Sequence, residues 1–330
     1  NVKHVLIRNN KQNVTDINGN KLFFKPLVDA VTFSYAPSEQ AFYDLLTEFI
    51  TSGKAYSRTL DGQAGTGVML VLIAMQKLAS SSVAAILSAL RRRMAMLVER
   101  QAAVERLKEQ KRQLASLAET YEAVEDGLDF DEQARLEESD ALLTQFQALT
   151  HDEERWIDQL IEAAELITEE TKIRTIIDHV QSNFQGQQLV VFTEYKATQA
   201  LLVSALFRTF GDHCAVFING DEKLDGVVLS DGTVTSIRLP RARAAEDFNN
   251  GAVRFIISTE AGGEGIDLQE RCHILLHADL PWNPMRMHQR VGRINRFGQK
   301  NQVEVVSFRN PGTIERSEER RVGKECRSRW

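Results

Sequence analysis

The spacing of apolar residues changes along the chain and divides it into zones. Between residues 87 and 124, and again between 156 and 177, apolar side chains recur every three or four positions, with charged residues between them. This spacing places the apolar side chains on one face of an α-helix. Residues 61–183 are therefore predicted to form a helical spacer, and a surface hairpin or short coiled coil is the preferred interpretation.

Beyond residue 184, short β-rich apolar runs replace this pattern, and helical stretches separate several of them. Continuous apolar strands that alternate with helices indicate a parallel sheet covered on both faces. The predicted fold class is therefore α/β, with a parallel sheet in residues 184–315 that the helical spacer precedes. The expected strands are 189–193, 214–218, 253–258, 273–277 and 303–307, and the expected helices are 197–210, 242–248 and 285–296.

Shorter patterns fill the remaining stretches. A helix is expected to begin after the pair Pro37-Ser38, with Ser38 as its N-cap. Residues 226–237 are predicted to form a small hairpin that turns at an Asp-Gly pair. The last stretch, 316–330, is charged and lacks an apolar period, so we interpret it as a non-native tail.

Charge is distributed unevenly. The 330-residue chain has a net charge of −6, which on its own argues weakly against nucleic-acid binding. A local basic stripe matters more for phosphate contact than the overall sum. Such a stripe, with no acidic neighbour, comprises Arg286, Arg290, Arg293, Arg296 and Lys300.

The chain contains no apolar run of the length that a membrane-spanning helix needs. Its first residues contain neither an initiator Met nor a signal pattern. No membrane partner is therefore expected, and the chain is expected to begin inside a longer protein. Its three cysteines are far apart and form no CxxC pair, so we interpret them as reduced thiols of a cytoplasmic protein.

The strongest candidate for chemistry is the run QRVGRINRFGQ at residues 289–299. In a helix, Arg293 and Arg296 would share one face, with Gln289 one turn before Arg293. Two fixed guanidinium groups suit a transferring γ-phosphoryl group, because its transition state spreads negative charge over several oxygens. An ordinary solvated basic helix is the alternative, and an arginine pair alone would favour it.

A second candidate is the glycine-rich run STEAGGEGIDLQ at residues 258–269, which follows a predicted strand. The carboxyl ends of strands are where α/β sheets bind ligands. Small residues also leave backbone N–H groups open to an anion. Taken alone, such a run would be interpreted as a flexible loop.

Together the two runs resemble motifs six and five of superfamily-two helicases, in the form that Swi/Snf-type ATPases carry. The runs 189–194, 279–284 (DLPWNP) and 303–315 resemble further segments of that family. Residues 74–85 resemble a segment of its bacterial members that are related to the RNA-polymerase-recycling ATPase and to phage-defence helicases.

This resemblance implies a RecA-like second lobe at residues 184–315 and assigns residues 1–60 to the end of a first lobe. It implies that Arg293 and Arg296 are catalytic arginine fingers. Nucleotide contact is implied for Gln289, Gly265 and Asp267, and nucleic-acid contact for Thr193, Ser258, Thr259, Trp282 and Asn283.

The sequence lacks a phosphate-binding GxxxxGK[ST] run and an acidic, Mg²⁺-binding DExH run. ATP and Mg²⁺ are therefore expected to bind mainly to a first lobe outside this chain, and no metal site is expected within it. The implied function is the C-terminal half of an ATP-dependent double-stranded-DNA translocase that is inactive without its first lobe.

Double-stranded DNA is the implied partner, and RNA polymerase or phage-defence proteins are further candidates. A strand-separating RNA or DNA helicase shares these motifs and stays open as an alternative. A non-catalytic partner-binding module built on the helical spacer is the other alternative.

Overall fold

The computed structural model describes residues 14–15, 17–19, 23, 25–57, 62–121, 153–259, 266–281 and 284–311. The strands are β1 (Leu27–Thr32), β2 (Leu189–Thr193), β3 (Ala215–Ile218), β4 (Lys223–Val228), β5 (Val234–Arg238), β6 (Phe255–Thr259), β7 (Ile274–His277) and β8 (Glu304–Arg309). The helices are α1 (Pro37–Ser57), α2 (Gly62–Ser81), α3 (Val83–Tyr121), α4 (153–165), α5 (Thr171–Asn183), α6 (Lys196–Phe210), α7 (Arg241–Asn249) and α8 (Pro284–Val291).

Six strands form one parallel sheet in the order β1-β8-β7-β2-β6-β3. The central strands β2, β6 and β7 are buried along their whole length, as strands covered on both faces must be. Their β-branched and aromatic residues suit such a pleated, two-sided environment. The predicted α/β fold, a parallel sheet with helices on both faces, is confirmed.

Alternate side chains of β2, β3, β6, β7 and β8 enter two separate cores. Val191 of β2 packs with α5 and α6 on one face of the sheet. Val190 of the same strand packs on the other face with α7, with Ile266 and Leu268, and with residues that follow α8. The segments 266–268 and 291–294 therefore lie on the same face of the sheet, which sets the geometry of the candidate site.

The predicted hairpin is confirmed as the antiparallel pair β4–β5, which lies outside the main sheet. Its register shifts between Leu224 and Val227, where Gly226 adopts a φ of 72°. Only glycine reaches that region without strain, so Gly226 permits the irregularity.

Helices α1 to α4 enclose a core of their own, to which Phe42 of α1, Leu72 of α2, Ile86 of α3 and Leu160 of α4 contribute. The three-and-four spacing of apolar residues is thus realised as helix over 87–121, 156–165 and 171–177, whereas residues 166–170 form a break between α4 and α5. None of the described helices combines the length and apolarity that crossing a bilayer requires.

β1 comes from the stretch that the sequence assigns to the end of a first lobe, yet it pairs along its whole length with β8. The residues before 60 thus supply an edge strand to the sheet that residues 189–309 build. The domain boundaries themselves stay a prediction.

The start of α1 differs from the expectation. The helix begins at Pro37, so Ser38 lies within its first turn and is not the N-cap. The carbonyl of Ala36 accepts the first helical bond from Gln40 N at 2.8 Å, and Glu39 Oε2 accepts from Ala36 N at 2.9 Å. Proline at the first helical position and glutamate two residues later together provide the start signal.

Candidate functional site

The arginine pair does not lie on a helix. The sequence predicts a helix over 285–296, but α8 ends at Val291 and the backbone continues in turns to residue 298. Arg293 N and Ile294 N donate to carbonyls three residues back, at 3.0 and 3.1 Å, so the last turn tightens. Burial of both Val291 and Ile294 in the sheet core fixes this path. The expectation that one helical face carries both arginines is therefore wrong.

The turns nevertheless bring the arginine segment to the end of the glycine-rich run. Arg296 forms an ion pair with Asp267, and Leu268 N donates to the carbonyl of Arg293 at 3.3 Å. Both side chains of the ion pair are about half exposed, 48% for Arg296 and 54% for Asp267. The two sequence runs thus meet at an open surface where an anion has access to a guanidinium group.

The remaining predicted nucleotide contacts are only partly placed. Gln289 is exposed on α8, one turn before the half-buried Arg293. Gly265 lies outside the described residues, as do Trp282 and Asn283 of the predicted nucleic-acid set.

The three predicted nucleic-acid residues at strand ends are buried. Thr193 and Thr259 face each other in register across β2 and β6, and Ser258 precedes Thr259. The Thr193 hydroxyl donates to Asp279 Oδ2 at 2.7 Å, and the Ser258 hydroxyl donates to the carbonyl of Thr259 at 3.0 Å. These two hydroxyl groups thus contact protein in this structure.

Arg290 lies in the site region, but its position differs from the one that the sequence predicts. The basic-stripe interpretation makes it a surface residue, but it is only 2% exposed. Its guanidinium donates to the carbonyl of Asp279 at 2.9 Å, approaches His277 Nδ1 at 3.2 Å and lies over the ring of Phe192 at 5.4 Å. These contacts stabilise the guanidinium group in its buried position.

A signal for this burial exists in the sequence. Met287, Val291 and Ile294 are buried at intervals of three and four, and Arg290 falls on the same face. Its neighbour His277 is also fully buried. Burial and the charge of Arg290 lower the pKa of His277 well below its usual value, so the ring is neutral at pH 7.

Asp279 is the acceptor on which several elements converge. Its Oδ2 accepts from Ser81 Oγ at 2.7 Å, from Thr193 Oγ1 at 2.7 Å and from Glu194 N at 3.0 Å. From the sequence alone, Asp279 is identified only as the first residue of the run DLPWNP. Its position two residues after the buried strand β7 is the signal that could have identified it.

The described residues contain no group of three or more His, Cys, Asp or Glu side chains placed to hold a metal ion. What the site offers chemically is the positive charge of Arg296 and Arg293. Guanidinium groups keep their charge at any relevant pH and match phosphate oxygens in a planar fork.

Residues 171–298 match the family described as helicase conserved C-terminal domain. A curated relative, the uncharacterized ATP-dependent helicase YqhH of Bacillus subtilis (strain 168), is 32% identical over 163 residues, which cover 49% of this chain and 26% of the relative. This chain is thus homologous over about half its length to an ATP-dependent helicase, and the match spans about a quarter of that protein.

Two solved structures align with 90% of the chain. The C-terminal part of the Fun30 ATPase domain is 15% identical with a TM-score of 0.46, and 89% of it is covered. The helicase domain of Hef from Pyrococcus furiosus is 16% identical with a TM-score of 0.44, and 57% of it is covered.

Proposed function

We propose that this chain supplies the C-terminal half of an ATP-dependent translocase of Swi/Snf type that moves along double-stranded DNA. The observation that carries the proposal is the ion pair between Arg296 and Asp267, which joins the arginine run to the glycine-rich run on one face of the sheet. The helicase-type match over residues 171–298 supports the same assignment.

In this proposal Arg293 and Arg296 stabilise the negative charge that develops on the γ-phosphoryl group of ATP. The nucleotide and Mg²⁺ would be held mainly by another lobe, and Gln289, Gly265 and Asp267 would contact the nucleotide from this chain. Arg296 can change partner at little cost, because an exposed ion pair contributes only about 0–1 kcal/mol. A dianionic phosphate at the same place would compete effectively with Asp267.

Nucleic acid would bind near the carboxyl ends of β2 and β6, where Thr193, Ser258 and Thr259 lie, and near Trp282 and Asn283. Because the threonine and serine side chains are buried, phosphate contact there requires their hydroxyl groups to turn away from their present protein acceptors. Contact with the phosphate backbone makes binding independent of sequence and sensitive to salt.

The test uses the longer protein that contains this chain. Replacing Arg293 or Arg296 by alanine should lower DNA-stimulated ATP turnover about 10³-fold or more, as expected for arginine fingers. Arg243→Ala is the matched control, because Arg243 is an exposed arginine of α7 that pairs with Asp247 within its own helix. The isolated 330-residue chain should show no turnover above background.

Two results would overturn the proposal: turnover by the isolated chain that depends on Arg293, or unchanged turnover in the arginine variants of the longer protein. The name of the Bacillus subtilis relative favours strand separation as the second candidate. Displacement of a triplex-forming strand without duplex unwinding supports translocation, whereas unwinding of a forked duplex supports the helicase.

A further inference from the structure

A buried polar cluster joins the helical segment to the arginine segment. We call Ser81, Thr193, Asp279 and Arg290 the Asp279 cluster. The four residues come from the end of α2, the end of β2, the residues after β7, and α8, and no residue of the four is more than 4% exposed. The Asp279 carboxylate contacts the other three, through Ser81 Oγ and Thr193 Oγ1 at 2.7 Å each and through Arg290 Nη2 at 3.7 Å.

Charge is balanced across this region. Lys77, one turn before Ser81 on α2, forms a 2.6 Å ion pair with Glu194, whose side chain is only 7% exposed. Glu194 N in turn donates to Asp279 Oδ2 at 3.0 Å. Two carboxylates therefore face one ammonium and one guanidinium group, so that loss of any member leaves a poorly compensated buried charge.

On the helical side, the cluster holds the corner between α2 and α3. The hydroxyl groups of Ser81 and Ser82 share Thr198 Oγ1, at 2.8 and 2.7 Å. Ser82 Oγ also accepts from Ala85 N at 3.0 Å and so caps the first turn of α3. A displacement of this corner would break hydrogen bonds to both α6 and Asp279.

On the other side, the cluster ends in the arginine segment. Arg290 is held by the carbonyl of Asp279 at 2.9 Å, and its own carbonyl accepts from Arg293 N at 3.0 Å. The tight turn that carries Arg293 therefore starts from the residue that Asp279 fixes.

We propose that Asp279 is a positioning residue that couples the α2–α3 corner to residues 290–296, so that the two move together. The catalytic consequence of this coupling rests on the proposed function, whereas the coupling itself does not. Partial separation is unfavourable because buried hydrogen-bonding groups without partners are costly. Helices α2 and α3 thus form one unit with residues 290–296, and a force on these helices is transmitted to Arg293.

The coupling is tested on the 330-residue chain by amide hydrogen exchange in Ser81→Ala. Loss of one buried hydroxyl partner of Asp279 should accelerate exchange about tenfold at residues 79–85 and also at 290–296. Ser80→Ala is the matched control, since the Ser80 hydroxyl only donates to the carbonyl of Lys77 in the same helix, at 2.8 Å. Faster exchange at 79–85 alone, with 290–296 unchanged, would overturn the coupling.

The catalytic consequence is tested in the longer protein by steady-state kinetics. Ser81→Ala should lower kcat for ATP about tenfold with little change in KM, because the variant misplaces an arginine that acts in the transition state, whereas Ser80→Ala should leave both constants unchanged. Equal kinetics for the two variants would refute a positioning role in catalysis. An inactive parent protein would instead refute the proposed function, and the exchange result would still decide the coupling.

Discussion

Glu170 is a single carboxyl group that lies almost entirely out of water, directly before α5. Its two oxygens accept from Val83 N and Ala84 N at 2.9 Å each, so it caps the start of α3 from a distant part of the chain. Burial raises the pKa of Glu170 to about 7, and the two backbone donors and Lys172 offset part of that effect. At the residue scale this group makes the stability of the fold depend on pH.

The sign follows from proton binding. Between the usual pKa of glutamate, 4.5, and about 7, folded Glu170 holds a proton that the unfolded chain releases. Its contribution is therefore fully present below pH 4.5 and is lost as the pH rises through 7, by roughly 3 kcal/mol at most. Glu170→Gln removes this titration. The stability difference between wild type and variant, from urea denaturation at several pH values, should shrink from pH 4.5 to 8, and parallel profiles would contradict the assignment.

Two arginines six positions apart illustrate how environment decides what a residue contributes. Arg296→Ala should change the free energy of unfolding by less than about 1 kcal/mol, because its ion pair with Asp267 is exposed. Arg290→Met should cost about 3–5 kcal/mol, because Asp279 and His277 lose a buried partner. Urea denaturation of the 330-residue chain measures both, and equal losses would show that burial of Arg290 is not maintained in solution.

At the scale of elements, one buried glutamate side chain connects the starts of two helices. Glu39 lies in the first turn of α1, accepts from Ala36 N at 2.9 Å, and also accepts from Thr171 N of α5 at 2.8 Å and from the Thr171 hydroxyl. One buried carboxylate thus satisfies free N–H groups at the ends of two helices, which otherwise have no intrahelical partner.

Glu39→Ala should therefore destabilise the chain by about 2–4 kcal/mol, since at least two buried donors lose their acceptor. Glu48→Ala is the control, because Glu48 is an exposed glutamate of the same helix. Thermal unfolding followed by circular dichroism compares the two. Similar melting temperatures for both variants would mean that water replaces the lost acceptor.

The elements also differ in how far their sequence predicts them. The apolar run 189–193 predicts β2 residue for residue, because a strand buried on both faces needs an uninterrupted apolar run. The end of α8 at Val291 is not predicted, because helical periodicity continues through Ile294 while packing on the sheet tightens the chain. The inward position of Arg290 is not predicted either. Its residue type suggests an exposed basic stripe, but Arg290 lies on the same face of α8 as the buried Met287.

At the scale of the whole molecule, the cores cross the boundaries that the sequence suggests. A lobe that starts at residue 184 would lack α5, although Ile173, Ile176 and Val180 are buried beneath the sheet. It would also lack β1, which covers the edge of β8. The change from a helical to a strand period marks where the secondary structure changes type. The hydrophobic core under the sheet extends beyond that point and includes α5.

The fragment 184–315 should therefore not fold stably, whereas 25–311 should. Each fully buried aliphatic side chain of α5 contributes about 1.5–3 kcal/mol, so the loss of three or more approaches the total stability of an ordinary domain. The exposed edge of β8 would add a surface for self-association. Thermal unfolding and sedimentation velocity of the two fragments test this directly. If monomeric 184–315 unfolds cooperatively at the melting temperature of 25–311, then α5 and β1 are not needed for its stability.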